Sequence, residues 1–130
     1  MGIYASNTYN LTIPLTAVEP ILDEWDQPSW DGPYERTADG LVKLVADEFG
    51  WDDDLPEFNV DVNNIHIVGW SQGKLGEGEQ LSTVLARHGA TGIIHGECDG
   101  GLFLIEFKDG DYLVHSGKVV FPSYKGSLYL

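Results

Sequence analysis

The residues best spaced for covalent chemistry in this 130-residue chain form a G-x-S-x-G pattern, Gly69 to Gly73, which directly follows an apolar run. In a nucleophile elbow with this spacing, a strand delivers the serine to a strained turn that leads straight into a helix. A hydrolase built on this pattern would use Ser71 as nucleophile, His115 as base, and Asp99 or Asp109 as the third member. Three glycines among the seven residues after Ser71 disfavour that helix, by about 1 kcal/mol each relative to alanine. We therefore predict a strand end followed by a loop, with no catalytic residue.

A second set of reactive side chains comprises the four histidines and the single Cys98. Only His95 and Cys98 lie close together, as H-x-x-C, and no second pair has the spacing of a zinc site. The acidic run at 52–54 lacks the alternation and the twelfth-position glutamate of a calcium loop. Gly73-Lys74 stands one residue short of a phosphate-loop pattern, and Leu75 replaces the hydroxyl residue that would hold magnesium. The sequence thus predicts no metal site and no cofactor.

Acidic residues are abundant and unevenly distributed. The chain has 21 Asp and Glu against seven Lys and Arg, a formal net charge of -14. Residues 19–61 hold fourteen of those acids and only Arg36 and Lys43, so most of the net charge lies in one third of the chain. This balance argues against direct binding to nucleic acid or to an anionic membrane, because both repel a negative protein.

The expected compartment is the cytoplasm. The N-terminus lacks the basic and apolar regions of a signal peptide, and no apolar run approaches the length of a membrane span. A single cysteine cannot form an internal disulfide, which excludes a disulfide-stapled secreted scaffold.

Large aromatic residues accompany the acids of residues 19–61, whereas a disordered acidic tail would be poor in them because it buries nothing. We therefore predict that the segment folds and carries its charge on a surface. Trp30 lies in a loop by composition and is the best aromatic contact residue. The predicted binding residues are acids of this segment together with that tryptophan: Asp23, Glu24, Asp26, Trp30, Asp31, Glu35, Asp52, Asp53, Asp54 and Glu57.

Hydrophobic periodicity predicts the elements that must position these side chains, in the order β-α-α-β-β-α-β-β-β. Helices are predicted at three places: Thr16–Trp25, Thr37–Phe49 and Gln80–His88. Thr16 is expected to cap the first helix with Glu19 as its partner in a capping box, although Pro20 would then fall in the second turn. Gly89 is expected to end the third helix.

Strands are predicted where apolar and β-branched residues alternate, at 3–13, 58–62, 65–67, 91–97, 102–107 and 112–121. Asn63-Asn64 is expected to take left-handed conformations in the turn of the first hairpin. A glycine-rich connection is predicted at 73–78. Together the elements indicate a single α+β domain over residues 1–130, in two layers, with the helices on one face of a mostly antiparallel sheet.

The stretch from about 58 to 122 resembles a loosely defined group of small uncharacterised proteins from actinobacteria and their phages. The similarity rests on turn and strand signatures, namely Asp61 to Ile65, Gln80-Leu81, Thr91 to Glu97, Asp109-Gly110 and Val119 to Pro122. Cys98 departs from the group, in which an acidic residue or glycine is more usual. The resemblance implies this kind of fold and a phage or mobile-element origin, and it implies no activity.

Charge and aromatic content together predict a non-enzymatic acidic protein that engages a basic host protein. Duplex DNA carries one charge per ~1.7 Å of its axis, so a folded acidic surface can occupy a DNA-binding site. The specific form of this prediction is a DNA-mimic or anti-defence inhibitor. Two alternatives stay open: the small serine hydrolase described above, and an acidic protein with no dedicated partner.

Overall fold

A computed structural model of the chain describes residues 4–29, 32–49, 55–74, 79–98 and 101–118. Over these residues a 3-10 turn at Leu15–Ala17 precedes the first of three helices: α1 (Val18–Trp25), α2 (Ala38–Phe49) and α3 (Glu79–Arg87). The strands are β1 (Tyr4–Pro14), β2 (Phe58–Val60), β3 (Asn64–Ile67), β4 (Trp70–Lys74), β5 (Thr91–Cys98), β6 (Gly101–Lys108) and β7 (Asp111–Lys118). The predicted α+β class and element order are confirmed, with β4 as an additional strand.

β1 occupies the centre of the sheet. The strand order is β2-β3-β1-β5-β6-β7, and every pair is antiparallel. β3 pairs with the last residues of β1 and β4 with its first residues, while β5 pairs along the opposite edge. One long strand therefore aligns three others, which makes its side chains the reference for both faces of the sheet.

The core lies on one face of this sheet only. Tyr9, Leu11 and Ile13 alternate along β1 and are buried, and the strand registers place buried isoleucines beside them. These side chains form one hydrophobic cluster with the buried residues of α1, α2 and α3, so the helices cover this face. The opposite face, which we call the open face, carries Thr8, Asn10, Trp70, Ile93, His95, Leu104, Glu106, Leu113 and His115.

The end of α3 confirms the role predicted for Gly89. Its φ of 94° lies in the left-handed region that favours glycine. The Gly89 N–H donates to the Ala86 carbonyl at 3.1 Å, and the Ala90 N–H donates to the Leu85 carbonyl at 3.0 Å. These two bonds form a Schellman motif, which satisfies carbonyls that the helix leaves without partners.

The start of α1 differs from the prediction. Its N-cap is Ala17, which makes no side-chain hydrogen bond to the helix, so the predicted capping box of Thr16 and Glu19 is wrong. The 3-10 turn leads the chain from β1 into the helix instead. Because α1 begins only at Val18, Pro20 lies in the first turn, where its missing N–H removes no helical hydrogen bond.

The turn between β2 and β3 is stabilised by a carboxylate. Within the described residues, Asp26 and Asp109 are the positions other than glycine with positive φ, so the left-handed conformation predicted for Asn63-Asn64 is wrong. Instead, Asp61 Oδ1 accepts the N–H groups of Asn63 and Asn64, each at 2.8 Å, and Asp61 Oδ2 lies 2.8 Å from His66 Nε2. The hydrogen bond with His66 and the two backbone N–H groups lower the pKa of Asp61 to about 2.

Substitution of Gly92 is expected to destabilise the β1–β5 pairing strongly. Gly92 has a φ of 111°, and an added Cβ would lie 2.1 Å from the backbone oxygen of Asn10. We expect Gly92→Ala to lower the free energy of unfolding by about 3 kcal/mol or more. Gly110→Ala is the control, because Gly110 also has a positive φ but meets nothing within 4 Å, and its expected loss is about 1–2 kcal/mol. Equal losses in urea denaturation would contradict this account of Gly92.

The Asp61 turn predicts a pH-dependent contribution to stability. The folded pKa of about 2 lies below the ordinary value of 3.8, so the stabilisation is complete above pH 3.8 and is lost as the pH falls towards 2. We expect the urea midpoint of Asp61→Asn to lie below that of the wild type at pH 6, and the gap to narrow by pH 2.5. A gap that stays constant over this range would show that the Asp61 charge does not stabilise the fold.

Candidate acidic binding groove

Ser71 lies inside a strand rather than at an elbow. β4 pairs antiparallel with β1, and Ser71 is in register with Asn7. The strand continues to Lys74, and the next helix begins at Glu79. The predicted glycine-rich loop is therefore wrong for Gly73 and Lys74, which belong to the strand. Ser71 also does not lie in the strained strand-to-helix turn that activates an elbow serine.

The other members of the hydrolase alternative lie far from Ser71. β1, β5 and β6 separate β4 from β7, which carries His115; four strand spacings of ~4.8 Å amount to roughly 19 Å. His115 Nε2 lies 3.4 Å from Glu106 Oε1, and Asp109 occupies the turn between β6 and β7. Asp99 lies outside the described residues. The fold thus does not bring Ser71 and His115 together.

Gly69, the first glycine of the pattern, has a packing role. The N–H groups of Val68 and Gly69 both donate to the Glu57 carbonyl oxygen, at 2.8 and 3.1 Å. A Cβ added to Gly69 would lie 2.3 Å from the Glu57 nitrogen, so only glycine allows this approach of the two backbones. This close approach explains why glycine occupies position 69, and the explanation does not require Ser71 to be a nucleophile.

The separation of Ser71 from His115 predicts the result of active-site labelling. We expect a fluorophosphonate probe to leave both the wild type and Ser71→Ala unlabelled, because the sheet holds His115, the base of this hypothesis, four strand positions away from Ser71. Gel fluorescence after incubation with the probe, alongside a known serine esterase, provides the measurement. Labelling of the wild type that disappears in Ser71→Ala would contradict the assignment of Ser71 to the scaffold.

Carboxylates on α1 are paired with basic residues from elsewhere in the chain. Arg36, in the loop before α2, bonds to Asp23 and to Glu19 Oε1, the latter at 3.1 Å. The hydrogen bonds with Asp23 and Glu19 hold the pKa of Arg36 above its ordinary value. One guanidinium therefore offsets the charge of one of these two carboxylates, and the Glu19–Arg36–Asp23 cluster keeps a net charge of -1.

The charge of Glu24 is offset by basic residues at the end of α3. It pairs with Arg87 at the end of α3, and its Oε1 lies 2.8 Å from His88 Nε2. The hydrogen bond with His88, supported by the charge of Arg87, lowers the pKa of Glu24 below its ordinary value. Of the predicted binding residues, Asp23 and Glu24 thus stabilise the arrangement of α1 with its neighbours, and their charge is not available in full to a partner.

A groove opens at the C-terminal end of α1, within the acidic segment. It has a volume of about 330 Å³ and is lined by Leu22, Trp25, Asp26, Gln27, Pro28, Pro33, Tyr34 and Arg36. Its walls are thus largely aromatic and proline side chains, and its two charged residues are Asp26 and Arg36. Because Arg36 is engaged by Glu19 and Asp23, Asp26 is the groove's unpaired charge within the described part of the chain.

The position of Asp26 favours a cation. It is the C-cap of α1, with a φ of 49°, and its N–H donates to the Leu22 carbonyl at 3.2 Å. The carbonyl end of a helix is the negative end of its dipole, and α1 has no basic residue in its last turn to offset it. A carboxylate and a helix C-terminus therefore act together at one end of the groove.

Tyr34 forms a fixed wall of the groove. Its hydroxyl donates to Asp47 Oδ2 at 2.7 Å, and Lys43 Nζ lies 3.5 Å from the same oxygen. Lys43 Nζ also lies 6.0 Å from the centre of the Tyr34 ring. These contacts anchor the ring to α2, so the groove is formed before any ligand enters.

The remaining predicted binding residues are dispersed. Glu35 is exposed beside Arg36, and Glu57 is exposed next to β2, where its backbone contacts Gly69. Trp30, Asp31 and Asp52 to Asp54 lie outside the described residues. Of the predicted binding residues that the structure describes, Asp26 lines the groove, and its other walls include Trp25, Tyr34 and two prolines, which no charge pattern indicated.

Within the described ranges, no three His, Cys, Asp or Glu side chains lie close enough together to hold a metal ion. Imidazoles and carboxylates meet two at a time there, as in the pairs of Asp61 with His66 and Glu24 with His88. No helix among the described residues is long and apolar enough to cross a membrane.

Comparison with known proteins returns no matching family model, no matching curated protein and no matching solved structure. The resemblance to a group of actinobacterial and phage proteins therefore stays a prediction.

Proposed function

We propose that this chain is a non-enzymatic binding protein whose groove at the end of α1 accepts a cationic side chain of a basic partner protein. The observation that carries the proposal is the combination of apolar walls with Asp26, a carboxylate that pairs with no cation among the described residues. Arginine fits such a site because its stem packs on Trp25 and the prolines while its guanidinium meets the carboxylate.

Charge around the groove supports this proposal. Glu35 and Asp39 are exposed near it in the chain, and neither pairs with a cation among the described residues. A surface of one sign attracts an oppositely charged partner over distances of about 10 Å at moderate salt and accelerates the encounter. The groove would then supply the short-range contact that charge alone lacks.

A groove that accepts cationic side chains requires a basic protein as its partner. The most specific form of this proposal is that the partner is an enzyme that binds duplex DNA. The DNA-binding site of such an enzyme is lined with Lys and Arg, and a folded acidic surface competes for it. A host nuclease inhibited in this way would make the protein an anti-defence inhibitor, the role expected for a phage or mobile-element protein. Inhibition should weaken at least tenfold between about 50 and 500 mM salt; inhibition that is insensitive to salt would exclude DNA mimicry.

A fluorescein-labelled nona-arginine peptide tests the groove itself. We expect Asp26→Asn to weaken binding of this peptide about tenfold, because a charge-assisted hydrogen bond contributes about 1.5–3 kcal/mol. Fluorescence polarisation at 50 mM salt provides the dissociation constant.

Asp109→Asn is the matched control, because it removes one exposed aspartate charge in the β6–β7 turn, outside the groove, at a left-handed position that asparagine also tolerates. We expect it to change the dissociation constant less than twofold. Equal losses in the two variants would mean that diffuse charge alone attracts the peptide. Absence of binding by the wild type at 1 mM would overturn the proposal altogether.

A further inference from the structure

Two exposed prolines, Pro28 and Pro33, form one wall of the groove. The chain turns between them, and Ser29 and Gly32 form an antiparallel bridge that brings the two prolines to the same end of the turn. The Ser29 N–H donates to the Gly32 carbonyl at 2.8 Å, and the Gly32 N–H donates to the Ser29 carbonyl at 3.1 Å. The Ser29 hydroxyl donates to the same Gly32 oxygen at 2.7 Å. The backbone groups of the bridge are thus bonded to each other, and this wall presents proline rings to a ligand.

Two further walls of the groove are aromatic rings whose positions are fixed. Trp25 is buried in the hydrophobic core, and Tyr34 packs against the same core while its hydroxyl donates to Asp47. Because these rings do not have to be ordered when a ligand enters, the loss of conformational entropy on binding falls mainly on the ligand. A ligand segment that is already rigid in solution therefore binds here at the smallest entropic cost.

The recurring modes of peptide recognition differ in what they require of the binding site. Strand addition requires the free edge of a sheet, whereas this groove lies at the end of α1 and in the loop before α2. A helix requires anchor pockets along two turns, and one turn alone, ~10 Å wide and ~5.4 Å long, fills roughly 400 Å³, more than the groove's volume of about 330 Å³. The charge of Asp26 repels acidic and phosphorylated motifs. A polyproline II segment requires aromatic walls, which this groove has.

We infer that the cationic segment accepted by this groove is rich in proline and binds in the polyproline II conformation. The inference rests on the proposed function, because it names the chemistry of the segment that carries the arginine. Proline rings of the segment pack against Trp25, Tyr34 and the wall prolines, while the arginine reaches Asp26. Polyproline II has three residues per turn and rises ~3.1 Å per residue, so an arginine three positions from a proline projects from the same edge, ~9 Å away. The expected motif is therefore R-x-x-P or its reverse, P-x-x-R.

Two fluorescein-labelled peptides of equal length and charge test the inference. RPLPPLPRP carries each arginine three positions from a proline, and RALAALARA has alanine at every proline position. We expect the wild type to bind the proline peptide at least tenfold more tightly in fluorescence polarisation at 150 mM salt. The alanine peptide loses the ring contacts and must also be ordered on binding, because a nine-residue chain is too short to form a stable helix. Asp26→Asn should weaken both peptides by the same factor, since each carries the same two arginines.

Pro33→Ala locates the proline contact within the protein. It removes one ring from the wall without changing the net charge, and we expect it to reduce the preference for the proline peptide to threefold or less. Its matched control is Pro20→Ala, because Pro20 is also exposed but lies in the first turn of α1, outside the groove. We expect Pro20→Ala to keep the wild-type preference within twofold. Circular dichroism and urea midpoints verify that both variants are folded.

The outcomes separate this inference from the proposed function. If the wild type binds both peptides equally and Asp26→Asn weakens both, the groove accepts arginine without regard to proline, and only the inference is overturned. A preference that Pro33→Ala retains in full, or that Pro20→Ala reduces equally, would also overturn the inference, because the proline contact would then lie outside the groove. Binding of neither peptide at 1 mM would overturn the proposed function together with the inference.

Discussion

The arrangement of this domain depends on β1, the strand that pairs with three others and leads directly into α1. Its pairing with β5 requires Gly92, where no Cβ fits against the backbone of Asn10. Buried Asn7 on the same strand donates from Nδ2 to the Phe49 carbonyl at the end of α2, at 2.6 Å. The groove is lined by the end of α1, the residues that follow it and the loop before α2, so β1 supports the groove by leading into α1 and by holding the end of α2 through Asn7.

Much of this fold follows from sequence periodicity, because long amphipathic segments bury one face whatever their neighbours are. The helix over Ala38–Phe49 and the meander from β5 to β7 are of this kind. Sequence periodicity does not predict β4, because glycine weakens the strand pattern there. The strand is stabilised by its pairing with β1, which is distant in sequence and therefore leaves no local signal. Turn statistics predict a left-handed conformation for Asn63 and Asn64, but the chain forms a different turn there because the carboxylate of Asp61 accepts both of their backbone N–H groups.

The site was less predictable than the fold, for an electrostatic reason. Composition identifies residues 19–61 as acidic, yet it cannot indicate which charges are neutralised. Glu24 pairs with Arg87, 63 positions away, and this contact exists only because α1 lies against α3. Sequence counted Glu24 and Asp26 as equivalent, whereas the structure neutralises the first and leaves the second at the end of a helix beside aromatic side chains. Tertiary contacts thus determine which carboxylates of the acidic segment keep a charge that a partner could bind.

The central claim is that a cation enters this particular groove. The most direct test is a titration of the ¹⁵N-labelled protein with an arginine-rich peptide, followed by two-dimensional NMR. The account predicts that the largest shift changes fall on the backbone amides of Leu22 to Gln27 and Tyr34 to Arg36. Changes spread evenly over all exposed acids, or centred on the open face, would contradict it.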